Sequence, residues 1–254
     1  MGCRVAHLNS DEHDARVAAA SSLGSISRNP SFRAALLHAG AVPALSALLK
    51  TSYGPNYPIV AQTYALHCVS QLMDGRPDVA AAVASSGVIP LPVSSLRANP
   101  LDIASMAAST LILLLNELPD HCTQVMAAGA IEPEMLRLTS RSQVVQIEAA
   151  ILLRKLALNN PEHTAQLVDG GVVAPLLNML QHGCTETQLQ ATALLSVIAF
   201  DANSCTATLP AIKPLLRLAG SPSASYELRL FALETLSEMA ADGRSQPPCT
   251  LPRA

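Results

Sequence analysis

A proline and a glycine ten residues apart recur four times along this 254-residue chain. The pairs are Pro30 and Gly40, Pro77 and Gly87, Pro119 and Gly129, and Pro161 and Gly171. Successive glycines are 47, 42 and 42 residues apart, and a further proline follows each of them by three or four residues. A fixed period of this length is the signature of a repeat protein, in which each unit buries its apolar face only against its neighbours. The repeat therefore restricts the fold to stacked units of about 42 residues.

The punctuation predicts three helices in each unit. Proline suits the first helical position because its missing N–H would be unpaired there, and glycine permits the left-handed backbone that ends a helix. Each pair therefore predicts a short first helix and a sharp turn, and the next proline predicts a second helix. Longer third helices are expected at about 59–73, 101–115, 143–158, 186–200 and 226–240, with an unpartnered copy at 11–28.

The predicted domain organisation follows from these helices. A flexible N-terminus is expected over 1–10, a solenoid over 11–241 and a disordered tail over 242–254. The repeats are predicted at 11–28 (partial), 30–74, 77–117, 119–159, 161–200 and 203–241. The segment YGPNYP at 53–58 explains the longer first spacing as a rigid loop insert, and the last copy, LPAIKPLLRL at 209–218, lacks the glycine.

The composition agrees with a thin aliphatic core. Only 14% of the residues are charged and 3% are aromatic, while 50% are hydrophobic; an average soluble domain is about 25% charged. A membrane-spanning helix needs about 20 consecutive apolar residues, and the best candidate, at 103–115, is interrupted by serines. We interpret it as a buried core helix. The net charge of -3 and the lack of a basic cluster argue against a nucleic-acid partner.

The sequence does not predict an enzyme. It contains no Gly-rich phosphate loop, no GxSxG elbow and no HExxH pair, so no catalytic residue, cofactor or metal site is expected. Histidine and cysteine are neighbours at His67-Cys68, at His121-Cys122 and, one residue apart, at His182 and Cys184. Adjacent helical residues point about 100° apart, so these pairs are not expected to converge as dyads. Six cysteines without a CxxC pair or a secretory signal predict reduced thiols in the cytoplasm or nucleus.

The junction between the first and second helices resembles the armadillo repeat. Four copies read GAVPALSALL, GVIPLPVSSL, GAIEPEMLRL and GVVAPLLNML. The resemblance covers roughly residues 11–241, and the nearest alternative is the HEAT repeat, which has two helices per unit. It implies an all-α, right-handed solenoid of about five repeats plus an N-terminal partial repeat, as in armadillo-only proteins. It also implies a non-catalytic scaffold or adaptor that holds a partner protein or extended peptide in a concave groove lined by the third helices.

The groove departs from the pattern of importin-type and designed armadillo proteins, which carry a ladder of Asn with Trp one turn earlier. The aligned Asn positions hold Ser25, Gln71, Leu113, Lys155, Val197 and Glu238. The aligned Trp positions hold Ser21, His67, Ser109, Ile151, Ala193 and Glu234. All of these except Val197 and Ala193 are our candidate partner-binding residues. Because the ladder is absent and the chain has no Trp, we expect mixed polar and apolar contacts rather than a receptor for nuclear-localisation signals.

Two alternatives remain open. Gly2 is the residue type required for myristoylation, and Cys3 could carry a second, palmitoyl chain, although Ala6 stands where the strict motif has Ser or Thr. An acylated protein would be a membrane-tethering adaptor; otherwise no membrane partner is expected. The chain could instead be a structural subunit of a larger assembly, such as a chaperone co-factor, a ubiquitin-ligase adaptor or an axonemal component. Association is then expected at the leading helix, 11–28, which no unit precedes.

Overall fold

The computed structural model describes residues 5, 7–9, 12–51, 59–98, 101–158, 160–201 and 204–245. Within these ranges the chain forms α-helices joined by short turns, with three short 3₁₀ segments and no strand. It divides into two compact units, 1–130 and 131–254. The division falls inside the predicted repeat 119–159, between its first and second helices.

The first unit stacks its three longest helices side by side. Its helices are α1 (His13–Ser27), α2 (Pro30–His38), α3 (Ala41–Thr51), α4 (Ile59–Met73), α5 (Pro77–Ser85), α6 (Pro90–Ser95), α7 (Leu101–Glu117) and α8 (Cys122–Ala127). Helix α4 packs against both α1 and α7, while α3 packs on α4 and α6 packs on α7. The 3₁₀ segment His7–Asn9 packs on α1 and α3, and its Leu8 is buried.

The second unit repeats this arrangement. Its helices are α9 (Ile131–Leu138), α10 (Gln143–Ala157), α11 (Pro161–Asp169), α12 (Val173–His182), α13 (Thr185–Phe200), α14 (Ile212–Gly220) and α15 (Tyr226–Ser245). Helix α13 packs against both α10 and α15, and each of the three is supported by its own second helix, α9, α12 or α14. Within each unit, the long helix of one repeat therefore packs against the long helices of the neighbouring repeats.

The third helices agree closely with their predicted positions. Their observed starts lie within two residues of the predicted ones in every copy. The last of them, α15, runs on to Ser245, which lies inside the stretch expected to be disordered, and 246–254 lie outside the described residues. Val5 and Leu8 are buried within the N-terminal stretch expected to be flexible. The whole of the 53–58 insert also lies outside the described residues.

The shorter helices differ more from expectation. Pro30, Pro77 and Pro161 each begin a first helix as predicted. Pro119 instead begins a 3₁₀ turn, Pro119–His121, and the α-helix after it has only six residues. Helices α3, α9 and α12 begin two residues before the expected proline. The helix tolerates the proline there because N–H groups of the first turn have no partner within the helix.

Glycine makes the turn between the first and second helices. Gly40, Gly87, Gly129 and Gly171 have φ angles of 77°, 71°, 89° and 82°. A side chain is strongly disfavoured in this left-handed region, whereas glycine enters it readily. The predicted role of the repeated glycine is therefore confirmed at all four positions.

The core is built from small aliphatic side chains. The buried cluster of the second unit contains only Ala, Val, Leu, Ile and Met, and includes Leu153, Leu176, Leu194 and Leu215. In the first unit, Ala20, Leu23, Leu45 and Leu66 are at most 1% exposed. A layer this thin is filled without aromatic residues, which accounts for their scarcity.

One pair of core positions carries charge. Glu134 and Arg137 on α9 lie five and eight residues after Gly129, where the first copy has Leu45 and Leu48 after Gly40. Glu134 is 0% exposed and Arg137 is 5% exposed. Their side chains approach to 3.2 Å, and Arg137 also donates a 2.7 Å hydrogen bond to Glu148 on α10. Both Glu134 oxygens still lack a hydrogen-bond partner among the described residues.

Replacing this charged pair with the leucines of the first copy should stabilise the protein. The double substitution Glu134→Leu with Arg137→Leu should raise the free energy of unfolding by about 1–4 kcal/mol, because a buried ion pair rarely recovers its desolvation cost. Arg137→Leu alone should lower it by about 3–5 kcal/mol, because it leaves a buried carboxyl group without its cation. Urea denaturation followed by circular dichroism measures both; a destabilised double variant would contradict the argument.

The same carboxyl group should make stability depend on pH. Burial raises the pKa of Glu134 from 4.5 to about 7, against the attraction of Arg137. A pKa that is higher in the folded state gives stabilisation that is full below about pH 4.5 and is lost as the pH rises through about 7. The free energy of unfolding of the wild type, taken relative to Glu134→Gln, should therefore fall between about pH 5 and about pH 8. Parallel urea titrations of the two proteins test this, and a flat or rising difference would refute it.

Candidate protein-binding groove

An open groove of about 460 Å³ lies in the second unit, at the C-terminal ends of α10 and α13. Its lining residues are Ala157, Leu158, Asn160, Pro161, Thr164, Ser196, Val197, Phe200, Asp201 and Glu238. They come from the end of α10, the start of α11, the last turn of α13 and the middle of α15. We call this site the second-unit groove. Ligand pockets in proteins commonly have volumes of about 300–1,000 Å³, so the groove can hold a few side chains.

Two large apolar side chains are exposed at the mouth of the second-unit groove. Leu158 is 50% exposed and Phe200 is 77% exposed. They occupy the same place in successive repeats, 42 residues apart, each directly after the alanine near the end of a third helix. The two preceding copies carry Asp74 and Asn116 at this place. Large apolar groups therefore replace polar ones only where the described groove lies.

The wall next to Leu158 is fixed by the cap of α11. The Asn160 side chain accepts a 3.2 Å hydrogen bond from the His163 N–H, which satisfies a free donor of the first turn. The His163 ring is buried, with Nδ1 2.8 Å from the Leu156 carbonyl oxygen and Nε2 3.3 Å from Asn160 Nδ2. Thr164 donates a 3.1 Å hydrogen bond to the Asn160 carbonyl. These bonds hold the start of α11 against the end of α10.

Two carboxyl groups supply the polar side of the groove. Glu238 Oε2 accepts a 2.8 Å hydrogen bond from Ser196, which joins α15 to α13. Asp201 follows α13 directly and accepts a hydrogen bond from the Ser204 hydroxyl. Within the described part of the chain, neither carboxyl group has a Lys or Arg nitrogen within 4.0 Å. The second-unit groove thus combines exposed apolar side chains with carboxyl groups that lack a cation.

Of the ten candidate residues from the sequence, only Glu238 lines this groove. In the first unit, His67 instead contacts Arg28 of the preceding partial repeat, and Gln71 contacts Arg33 on α2 of its own repeat. Arg28 Nε lies 3.3 Å from His67 Nε2, and Arg33 donates a 3.0 Å hydrogen bond to Gln71 and forms a 3.2 Å ion pair with Asp74. Burial, and then the charge of Arg28, lower the pKa of His67. This polar face therefore differs in chemistry from the second-unit groove.

The remaining candidates are spread along the third helices. Ser21 and Ser25 lie on α1, Ser109 and Leu113 on α7, Ile151 and Lys155 on α10, and Glu234 on α15. Ser25 and Glu234 are exposed, and the others are half-buried. Leu158 and Phe200 were missed because the alignment considered only the two ladder positions. Their signal in the sequence is a large apolar residue at a register where earlier copies have Asp or Asn.

Three further predictions concern the N-terminus, the leading helix and metal binding. Gly2 and Cys3, the predicted lipidation site, lie outside the described residues. On the leading helix, Ala19, Ala20 and Leu23 are buried while Ala18 and Ser25 are exposed. Among the described residues, no group of three or more His, Cys, Asp and Glu side chains is placed to hold a metal ion.

A helix that crosses a membrane must be both long and apolar. None of the described helices is by itself long and apolar enough to cross one. Helices α2 and α3 meet the length and composition criteria only when they are taken together across an 80° bend.

Comparison with known proteins agrees with the three-helix repeat. Residues 160–200, which contain α11, α12 and α13, match the family model for the Armadillo/beta-catenin-like repeat. The chain is similar to a designed armadillo repeat protein with 21% sequence identity and a TM-score of 0.78, over 94% of this chain and 99% of that chain. The chain therefore has the armadillo-repeat fold, with one repeat that matches the family model. Its fold is the predicted all-α solenoid, and three helices per repeat exclude the HEAT alternative.

Two further solved structures share this armadillo fold. One is an engineered protein with 24% identity and a TM-score of 0.81, covering 95% of this chain and 96% of that chain. The other is a designed armadillo repeat protein in complex with the peptide (KR)4, with 20% identity and a TM-score of 0.78, over 94% and 98% of the two chains. No curated protein matches the chain. Armadillo solenoids are a family of binding scaffolds, so the fold directs attention to its exposed surfaces.

The described cysteines differ in environment. Cys68 is buried, and burial raises the pKa of its thiol to about 11. Cys184 is exposed at the start of α13, with Sγ 3.3 Å from the Thr187 hydroxyl. Hydrogen bonds from the Thr187 side chain and backbone lower the pKa of Cys184. The thiolate is the reactive form of cysteine, so the two residues should react at very different rates.

We expect iodoacetamide to modify Cys184 at least about 100-fold faster than Cys68 in the folded protein at neutral pH. Thr187→Val, which keeps the side-chain shape but removes the hydroxyl, should slow modification of Cys184 by a few-fold. Peptide mapping by mass spectrometry over a time course measures both rates. Equal rates for Cys184 and Cys68 would show that the described burial is wrong.

Proposed function

We propose that this armadillo protein is a non-catalytic scaffold or adaptor that binds an extended segment of a partner protein in the second-unit groove. The observation that carries the proposal is the exposure of Leu158 and Phe200 at the mouth of the groove. Large apolar side chains grouped on a surface mark interaction sites when they are surrounded by polar residues. Aromatic residues are also enriched among the side chains that dominate binding energy.

The fold supports the same conclusion. A similar designed armadillo repeat protein binds a peptide, and stacked repeats commonly provide extended binding surfaces. The groove is formed by the ends of α10 and α13, the middle of α15 and the capped start of α11, so its shape is set by rigid elements. Preorganised sites of this kind bind with less loss of conformational entropy.

We also propose that the scaffold acts in the cytoplasm or nucleus. The four described cysteines, Cys68, Cys122, Cys184 and Cys205, are free thiols. Free thiols are typical of reducing compartments, whereas secreted proteins usually pair them as disulfides.

Capture of partners from a cell extract tests the scaffold function. The bait proteins are the wild type, Phe200→Arg in the groove, and Leu216→Arg, a matched control at a 56% exposed leucine on α14 that is not among the groove residues. We expect Phe200→Arg to lose at least about 80% of one or more partners that both other baits retain, because it places a cation where an apolar contact is needed.

Quantitative mass spectrometry of the captured proteins provides the measurement, and circular dichroism melting curves confirm that all three baits are folded. A partner set that is unchanged by Phe200→Arg would assign binding to another surface. A reproducible enzymatic turnover that a single substitution abolishes would overturn the non-catalytic part of the proposal.

A further inference from the structure

The hydrogen-bonding groups of the second-unit groove restrict the partner more sharply than its shape does. Three lining side chains contain donors, namely Asn160, Thr164 and Ser196, and each is engaged within the chain. Asn160 Nδ2 faces the His163 ring, Thr164 donates to a backbone carbonyl, and Ser196 donates to Glu238. The side chains that line the groove therefore offer a partner few donors.

The hydrogen-bond acceptors of the groove, in contrast, remain available to a partner. A carboxylate has about four lone-pair positions, and the structure gives Glu238 and Asp201 one side-chain donor each, from Ser196 and Ser204. Neither is paired with a cation in the described part of the chain. A group that approaches these oxygens is stabilised most when it is a positively charged donor, since charge-assisted hydrogen bonds are the stronger ones. An anionic partner would meet two like charges.

The apolar and acidic groups lie close to each other along the chain. Phe200 is followed directly by Asp201, and Leu158 lines the same groove directly after α10. An extended segment sends successive side chains to opposite sides. A segment with an apolar residue next to a basic one can therefore place the apolar side chain on Phe200 or Leu158 and the cation at Asp201 or Glu238.

We propose that the second-unit groove selects an extended segment in which large apolar residues alternate with Lys or Arg. This inference rests on the proposed scaffold function and names the partner chemistry of the same site. It requires neither the Asn ladder nor Trp, because the cation is held by the carboxylates of Asp201 and Glu238 and the apolar side chains by Leu158 and Phe200. The register of these two residues, one repeat apart, sets where the apolar side chains lie.

Synthetic peptides test the chemistry directly. The probe is fluorescein-labelled Gly-Ser-Lys-Phe-Lys-Leu-Gly-Ser; one control peptide replaces both lysines with Glu, and the other replaces Phe and Leu with Ser. Fluorescence anisotropy with the full chain should give saturable binding of the probe. Each control peptide should bind at least about tenfold more weakly, because each loses one of the two kinds of contact.

Protein variants then locate the site. Asp201→Asn with Glu238→Gln should weaken the probe by about fivefold or more and reduce the salt dependence of its binding. Glu227→Gln is the matched control, since Glu227 is an exposed carboxyl group on α15 that is not among the groove residues, and it should leave binding unchanged. Asp201→Lys with Glu238→Lys should reverse the preference, so that the peptide with Glu binds better than the probe.

The outcomes separate this inference from the scaffold function. Equal binding of the lysine and glutamate peptides, no binding of the probe, or insensitivity to the Asp201 and Glu238 substitutions would overturn the inferred partner chemistry. If captured partners still depended on Phe200, the scaffold function would stand without it. Concentration-dependent self-association that Phe200→Ser abolishes would make a second copy the occupant, and that too would overturn the inference.

Discussion

Within each unit, the fold depends on the packing of one third helix against the third helices of the neighbouring repeats. In the second unit α13 is covered by α10 on one side and α15 on the other, and in the first unit α4 lies in the same way between α1 and α7. Close packing needs small or aliphatic side chains at the contact, and fully buried residues such as Ala150 and Thr192 supply them. A repeat that lacks neighbours has nothing to cover this face. The low charge and the scarcity of aromatic residues follow from this requirement.

The buried charges of α9 show how far one repeat can depart from that requirement. Glu134 and Arg137 occupy positions that are leucine in the first copy and Leu176 and Met179 in the fourth. The helix is kept because the pair is close in space and Glu148 provides a second acceptor for Arg137. The repeat pattern survives, but its local stability becomes linked to a proton in the core. In the segment 129–138, the glycine and proline thus set the fold, whereas the buried Glu134 and Arg137 set the local stability.

The sequence predicted the features that repeat and missed those that do not. Recurring proline and glycine located the third helices to within about two residues at their starts, because a signal present in several copies outweighs local ambiguity. The sequence did not predict the 3₁₀ turn at Pro119, because whether a short segment forms a 3₁₀ turn or an α-helical turn depends on how it packs. The sequence also did not predict that Arg28 contacts His67 and Arg33 contacts Gln71, because each contact joins residues about 40 positions apart.

In the candidate groove, too, the repeat predicts where residues lie along the chain but not which of them line the site. Alignment of the repeats pointed to the ladder positions of the third helices, yet only Glu238 among the candidates lines the described groove. Leu158 and Phe200 lie beyond the ladder, directly after α10 and at the last residue of α13, where the chain leaves one repeat to begin the next. Side chains there are not needed to cover a neighbouring third helix, so they can vary from Asp74 and Asn116 to Leu and Phe without disturbing the stack. The surface that is freest of packing constraints is therefore the one on which the identity of individual residues carries most information about binding.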